Sequence, residues 1–328
     1  MTTKESLDCA CFGEILWDLF EEGSAGKAGA GQTYRRELGG APTNVAVSLA
    51  RLGFRASVVG AVGKDRFGDA LVSILEAEGV ETKHVARLPQ RTGITFVSRS
   101  DKGEPSFLFY RHQTADAMLP ATAVVPACAR ATFGVVGTST LVTPDLQAAT
   151  ARFVAELEKA KGDLVVDLNV RAHLWADPAV MKRQIGELVS RAKLVKASEG
   201  DLAHLAGKRG LSWLEEHAKG ATWLLTRGEN GAAAVGAHGQ VTAPTKRVRC
   251  VDATGAGDAF LAGALGVLLA TGARSGKREW ADGKTWARAL EVGHLMGAKA
   301  VSAVGAVNGL SHLDDVKSKL GLARKAGA

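Results

Sequence analysis

Short apolar runs alternate with helix-period segments along most of the chain. Leu7-Asp8-Cys9-Ala10-Cys11-Phe12 reads as a strand, as do Ala56 to Gly60, Phe133 to Gly137, Leu164 to Leu168, Lys193 to Lys196 and Trp223 to Thr226. Val45, Leu49 and Leu52 fall at i, i+4 and i+7, which predicts a helix over Thr43 to Leu52 that Gly53 ends. Phe67, Leu71, Ile74 and Leu75 line one face of a second helix, stopped at Gly79. Near-continuous apolar strands separated by helices predict a mostly parallel sheet covered on both faces.

Two regions break this rhythm. Gly23 to Gly31 is a Gly/Ala segment leading into Tyr34-Arg35-Arg36-Glu37. Gly93 to Arg111 holds two extended runs, ITFVSRS and SFLFYRH, around a polar Asp101–Pro105 turn, which is a hairpin signal. Together they predict a small β-lid outside the main sheet, built from segments near 13–40 and 92–118. No internal repeat and no long linker interrupts the pattern, so residues 1–328 are expected to form a single domain.

The net charge of +7 raises nucleic acid as a partner. The basic residues are spread along the chain, without a Lys/Arg block or an aromatic platform, so no nucleic acid is expected and a basic site for an anionic small molecule fits instead. No apolar run is long enough to cross a membrane, and MTTKESLDCACFGE has no apolar core ahead of a cleavage site. A cytoplasmic protein without a membrane partner is therefore expected. Cys9, Cys11, Cys128 and Cys250 make no disulfide framework in a chain this long, and no Cys/His pairing lies at metal-ligand spacing.

The stretch Val251-Asp252-Ala253-Thr254-Gly255-Ala256-Gly257-Asp258-Ala259-Phe260 runs straight into the apolar Leu261–Leu269. Small residues entering a helix can aim backbone N–H groups at an anion, where the helix dipole also favours negative charge. Gly255 and Gly257 carry no Cβ to hold a phosphoryl group away. A carboxylate at Asp258 would repel that anion, unless it accepts a proton from an attacking hydroxyl. The local chemistry thus points to phosphoryl transfer to an alcohol, with a plain aspartate helix cap as the alternative. Phe260 breaks a G-x-G-x-x-G pattern, and no P-loop motif occurs.

A second glycine cluster, Gly39-Gly40-Ala41-Pro42-Thr43-Asn44, also enters a helix beside the lid. The two clusters, GGAPTNVAVSLARLG and DATGAGD, together resemble the paired signatures of the ribokinase-like (PfkB-type) carbohydrate kinases. The resemblance spans nearly the whole chain in order, through GEILWD, GKDRFG, DLNVR, KASEGD and TRGENG. It departs at Ala253, Leu168, Ser198 and Asp201, where the family usually has other residues.

The resemblance implies a ribokinase-like three-layer α/β/α fold with a mostly parallel central sheet and a small β-sheet lid. It implies Asp258 as catalytic base and the amides of Gly255, Ala256 and Gly257 as an anion hole. Asp18, Gly39, Gly40, Asn44, Tyr110, Arg111, Asp116 and Arg171 are the implied sugar-binding residues, and Thr226, Gly228, Gly231, Gly255 and Gly257 the nucleotide-binding ones. Ala298 to Asn308 would flank the purine. ATP and Mg2+ are the implied cofactors, with Asp201 holding Mg2+ through water; K+ would lie near Asp252, Thr254 and the loop at Ala303–Gly305. A homodimer through the lid is frequent in the family.

The segment from Phe107 to Leu119 and the opening GEILWD are similar to the fructokinase pattern. Arg111 and Arg171 would equally suit the carboxylate of 2-keto-3-deoxygluconate, whereas Asp116 would repel it. The expected reaction is ATP-dependent phosphorylation of fructose to fructose 6-phosphate. A sugar- or nucleoside-binding sensor without catalysis is the alternative of a different class.

Overall fold

A computed structural model describes residues 6–22, 32–99 and 105–321. The chain runs through β1 (Leu7–Phe12), β2 (Leu16–Glu22), β3 (Thr33–Gly39), α1 (Ala41–Arg51), β4 (Ala56–Gly63), α2 (Arg66–Ala77) and β5 (Val85–Leu88). The hairpin strands β6 (Gly93–Arg99) and β7 (Pro105–Tyr110) follow. Alternation then resumes with β8 (Ala131–Gly137), α3 (Pro144–Lys159), β9 (Asp163–Asp167), α4 (Pro178–Val189), β10 (Leu194–Ser198), α5 (Glu199–Ala206), α6 (Gly210–His217) and β11 (Thr222–Thr226). Next come β12 (Ala232–Gly236), β13 (Gly239–Ala243), α7 (Ala256–Thr271), α8 (Gly283–Ala300) and α9 (Leu313–Leu320).

Local chemistry sets several boundaries. Asp65 caps α2 by accepting from the Gly68 amide, Thr143 caps α3, and Ser198 with Asp201 closes a capping box on α5. Helix α1 begins at Ala41 rather than at the expected Thr43, because Pro42 fits its first turn, where a missing N–H breaks no helical bond.

The main sheet has the order β13-β12-β11-β10-β9-β8-β1-β4-β5, with β12 the antiparallel strand. Cys9 and Cys11 face a core shared with α1, α7 and α8; Ala10 and Phe12 face the other, beneath α3 and α4. These two cores are the side-chain alternation of one strand read out on opposite faces. Helix α7 is buried without a break from Asp258 to Leu268, between α1 and α8. A helix covered on all sides must be apolar on all sides, which accounts for the run after Asp258.

Strand β1 has β4 on one side and β8 on the other, so the strand order reverses there. Such a reversal leaves a crevice at the carboxyl ends of the strands. Over it lies a second sheet of order β3-β2-β6-β7. Its register puts Asp18, Thr95 and Phe109 in one row and Trp17, Ile94 and Tyr110 in the next, on opposite faces. The expected Gly23–Gly31 segment and most of the hairpin turn lie outside the described residues.

Candidate active site

The crevice holds a cavity of about 280 Å³. The main sheet contributes Glu14, Ser139, Asn169, Arg171, Lys196 and Ser198 from the strand ends, and the second sheet contributes Asp18, Thr95, Phe107 and Phe109. Gly40, Asn44, Gly255, Gly257 and Asp258 come from the two glycine-led helix starts. Gly40 has φ 109, and a Cβ there would stand 2.2 Å from the Glu14 carbonyl oxygen. The close approach lets Glu14 tie the strand end to the helix: its carbonyl accepts from Thr43 Oγ1 at 2.8 Å, and its carboxylate accepts from the Ala41 amide and from Ser139 Oγ. Glu14 therefore lines the cavity.

Gly255 is the N-cap of α7, in the left-handed region at φ 77. A Cβ on it would lie 2.8 Å from the Ala306 backbone. Of the three amides expected to form an anion hole, that of Ala256 donates to the Ala253 carbonyl at 3.3 Å. Gly255 and Gly257 stand at the helix start, where amides have no partner within the helix, and both line the cavity. Asp258 stands one position further into the helix and makes no cap bond. Its Oδ2 accepts from Asn44 Nδ2 at 2.8 Å. Burial, then the nearby Asp167 charge, push the Asp258 carboxyl up to about 7.

Asp18 is buried on the cavity side of β2. Burial, then the Glu14 and Asp258 charges, raise it to about 7 as well. Arg171 enters the same space with its guanidinium 5.4 Å over the Phe107 ring. Three buried polar atoms of the cavity lining have no partner: Asn44 Oδ1, Thr95 Oγ1 and Thr254 Oγ1. Buried polar atoms are normally satisfied, so such a group marks a place for a ligand.

Three expected cavity residues lie elsewhere. Tyr110 is 60% exposed on the outer face of β7, because the period-2 alternation gives the cavity Phe107 and Phe109 instead. Asp116 is buried behind Arg111, accepting from its Nε at 2.6 Å and from Thr114 Oγ1 at 2.6 Å. It neutralises Arg111 from behind, and Arg111 alone lines the cavity. Gly39 sits beneath Asp18, where a Cβ would be 2.5 Å from the carboxylate.

A second cavity, of about 550 Å³, adjoins the first. Thr226, Gly228 and Gly231 line it as expected, with Lys246 and Arg247 at one side. Val248, Phe260, His294, Ala298 and Val301 also line it and make part of its wall apolar. Of the expected purine segment, Ala298 and Val301 contribute. Lys196, Ser198, Ala253 and Gly257 belong to both cavities. In the sequence no motif gives Lys196 a role. Its signal there is a lysine inside an apolar strand, an expensive placement unless the ammonium is paired. Its Nζ lies 3.0 Å from Asp167 Oδ1.

Two expected cation positions differ in kind. Asp201 accepts from the Val170 and Ser198 amides and from Ser198 Oγ. It can meet a metal only through its remaining lone pairs, which suits a metal-bound water. Asp252 accepts from the Thr254 amide at 2.9 Å and the Gly305 amide at 3.0 Å, which fastens the two loops together. With Thr254 Oγ1 unpartnered beside it, the oxygens suit a monovalent cation. Among the described residues no cluster of three or more His, Cys, Asp or Glu is set to hold a metal.

A carboxylate facing glycine amides at the junction of a polar cavity and a partly apolar one is the arrangement of a phosphotransferase acting on an alcohol. The family described as pfkB family carbohydrate kinase matches residues 6–313, and the chain belongs to that family. The fructokinase of Klebsiella pneumoniae is 33% identical over 289 residues, covering 86% of this chain and 91% of its own. The crystal structure of a fructokinase from Xylella fastidiosa with bound ATP superposes with a TM-score of 0.83 at 27% identity, over 95% of this chain and 97% of that one. A fructokinase from Vibrio cholerae O395, in its fructose, ADP and calcium ion bound form, has a TM-score of 0.82 at 27% identity, over 95% and 98%. The three-layer α/β/α architecture with its second sheet is the ribokinase-like fold.

Proposed function

We propose that this carbohydrate kinase transfers the γ-phosphate of ATP to fructose, giving fructose 6-phosphate. The observation that carries the reading is the junction itself. Asp258, buried and held by Asn44, stands beside Gly255 and Gly257 where the two cavities meet. Asp258 takes the proton of the attacking hydroxyl while the two amides stabilise charge on the transferring phosphoryl group. Asp18, Asn44, Thr95 and Arg171 receive sugar hydroxyls. The fructokinase relatives support fructose, and so does the charge of the cavity. Arg111 arrives neutralised by Asp116, and Glu14 and Asp18 stand near it, so a neutral polyol is favoured over a sugar acid.

The adenine occupies the apolar side of the second cavity, and its phosphates run past Thr226 and Gly228 toward Gly257. Asp201 would hold Mg2+ through one of its waters, and Mg2+ would neutralise phosphate charge. Thr254 and the loop fastened by Asp252 would hold K+, which would add positive charge near the anion hole. The described chain acts as a single catalytic domain, and the second sheet is its lid. Tyr34, Phe96, Leu108 and Tyr110 form an apolar row on the outer face of that lid, with rings 5.2 Å apart in successive pairs. That row supports a homodimer through the lid. All four cysteines are free thiols, which supports a reducing, cytoplasmic setting.

The test is ADP release on mixing the protein with ATP, Mg2+ and, separately, fructose, ribose, adenosine and 2-keto-3-deoxygluconate. Fructose is expected to give the highest kcat/KM. Preference for the sugar acid would hand Arg111 and Arg171 to a carboxylate, and tight sugar binding without ADP release would make the protein a sensor.

A further inference from the structure

The structure assigns Lys196 a part in the reaction proposed above: we infer that its ammonium binds the transferring phosphoryl group at the junction of the two cavities. Three observations place it there. Its side chain is 6% exposed, on the interior strand β10, and belongs to the wall of both cavities. A Cβ built on Gly257 would stand 2.8 Å from its Nζ, so the ammonium lies directly beside the glycine whose amide meets the phosphate. Its ion-pair partner is Asp167, and that pair is buried on both sides.

The electrostatics keep it charged. Burial alone would favour the neutral amine, but Asp167, Asp201 and Asp258 surround it and together hold its pKa above the ordinary lysine value. The free site carries more carboxylates than cations around this point. Arrival of a polyphosphate gives Lys196 a second anion without moving it away from Asp167. The charge that develops on the transferred group then meets a fixed cation beside the Gly257 amide. Ser198 and Asp201, both neutral or acidic and locked in the α5 capping box, offer no such charge.

A purely structural role, in which Lys196 only neutralises Asp167, makes different predictions. Lys196→Met alone leaves Asp167 buried and unpaired and can misfold for that reason. The decisive comparison is therefore Lys196→Met/Asp167→Asn against Asp167→Asn, with Lys196→Arg as the charge-conserving variant. Calorimetric titration with AMP, ADP and the non-hydrolysable analogue AMP-PCP, each with Mg2+, reads phosphate recognition separately from the adenosine part. Loss of Lys196 should leave the AMP affinity within about twofold and weaken AMP-PCP by about ten- to a hundredfold. Turnover with the best sugar should fall at least as far, and Lys196→Arg should restore part of the AMP-PCP affinity.

Equal AMP-PCP affinity and turnover in the double variant and in Asp167→Asn would overturn the assignment. Equal affinity of the unsubstituted protein for AMP and AMP-PCP would overturn it too. If the unsubstituted protein releases no ADP with any of the sugars, the kinase reading fails, while the nucleotide titration still decides the role of Lys196.

Discussion

An asparagine at position 258 keeps the shape of the aspartate and the bond from Asn44 Nδ2, but it cannot take a proton. A positioned base typically contributes about 10²–10⁴-fold, and kcat of Asp258→Asn is expected to fall by that factor. The nucleotide Kd should stay the same or tighten slightly, since a negative charge leaves the neighbourhood of the phosphate. Stability should move the other way. The Asp258 carboxyl rises on folding from 3.8 to about 7, so between those pH values the folded state holds a proton that the unfolded state has lost. Stability of the unsubstituted protein relative to the variant therefore falls as pH rises through this window and levels off above it. A shift of that size sets a ceiling of about 4 kcal/mol. Relaxation, and the loss of a helix-dipole contribution of about 0.3–1 kcal/mol, bring the expected gain of Asp258→Asn at pH 8 to about 1–3 kcal/mol. Urea denaturation at pH 5 and pH 8, with kcat measured on the same preparations, reads both effects. A folded variant with unchanged turnover would end the catalytic-base assignment. A stability difference that does not grow with pH would show that the carboxylate is not buried as described.

Other expectations follow from the same site. The kcat/KM of the unsubstituted protein should rise with pH to a plateau above about 7, because Asp258 and Asp18 both lie near that value and the base must be ionised; a flat profile from pH 6 to 8 would count against it. Asp116→Ala leaves Arg111 buried without its partner, so thermal unfolding should show a loss of about 3–5 kcal/mol; an unchanged Tm would mean the pair contributes nothing. Gly255→Ala forces a side chain into φ 77 and against Ala306, and kcat should drop by about 10²-fold or more, as when one anion-hole donor is lost. Amide exchange in β6 and β7 should slow when sugar binds and the lid closes; unchanged exchange would refute closure.

Much of the fold was legible because strands buried on both faces are written as unbroken apolar runs, and β1, β8, β9 and β11 match the expected positions closely. The sugar side was less legible. FLFYR alternates plainly, yet nothing local says which face of β7 meets the cavity, so the pattern alone does not choose Phe107 and Phe109 over Tyr110. Asp116 was legible as a carboxylate but not as the partner of Arg111, since the turn between them folds one against the other. Lys196 was in plain view as a charge in an apolar strand; its meaning depends on Asp167, which only sheet pairing brings alongside. The wall of the second cavity from Thr245 to Cys250 lies in irregular chain with no periodicity to read.

The two cavities have Lys196, Ser198, Ala253 and Gly257 in common. A sugar hydroxyl bound in one and a terminal phosphate bound in the other would meet at that shared edge, with no residue between them. Phosphorus can pass between them in one displacement, with no carrier on the protein. Initial-rate plots against the two substrates should then intersect rather than run parallel, and a chiral phosphoryl group should emerge with its handedness inverted.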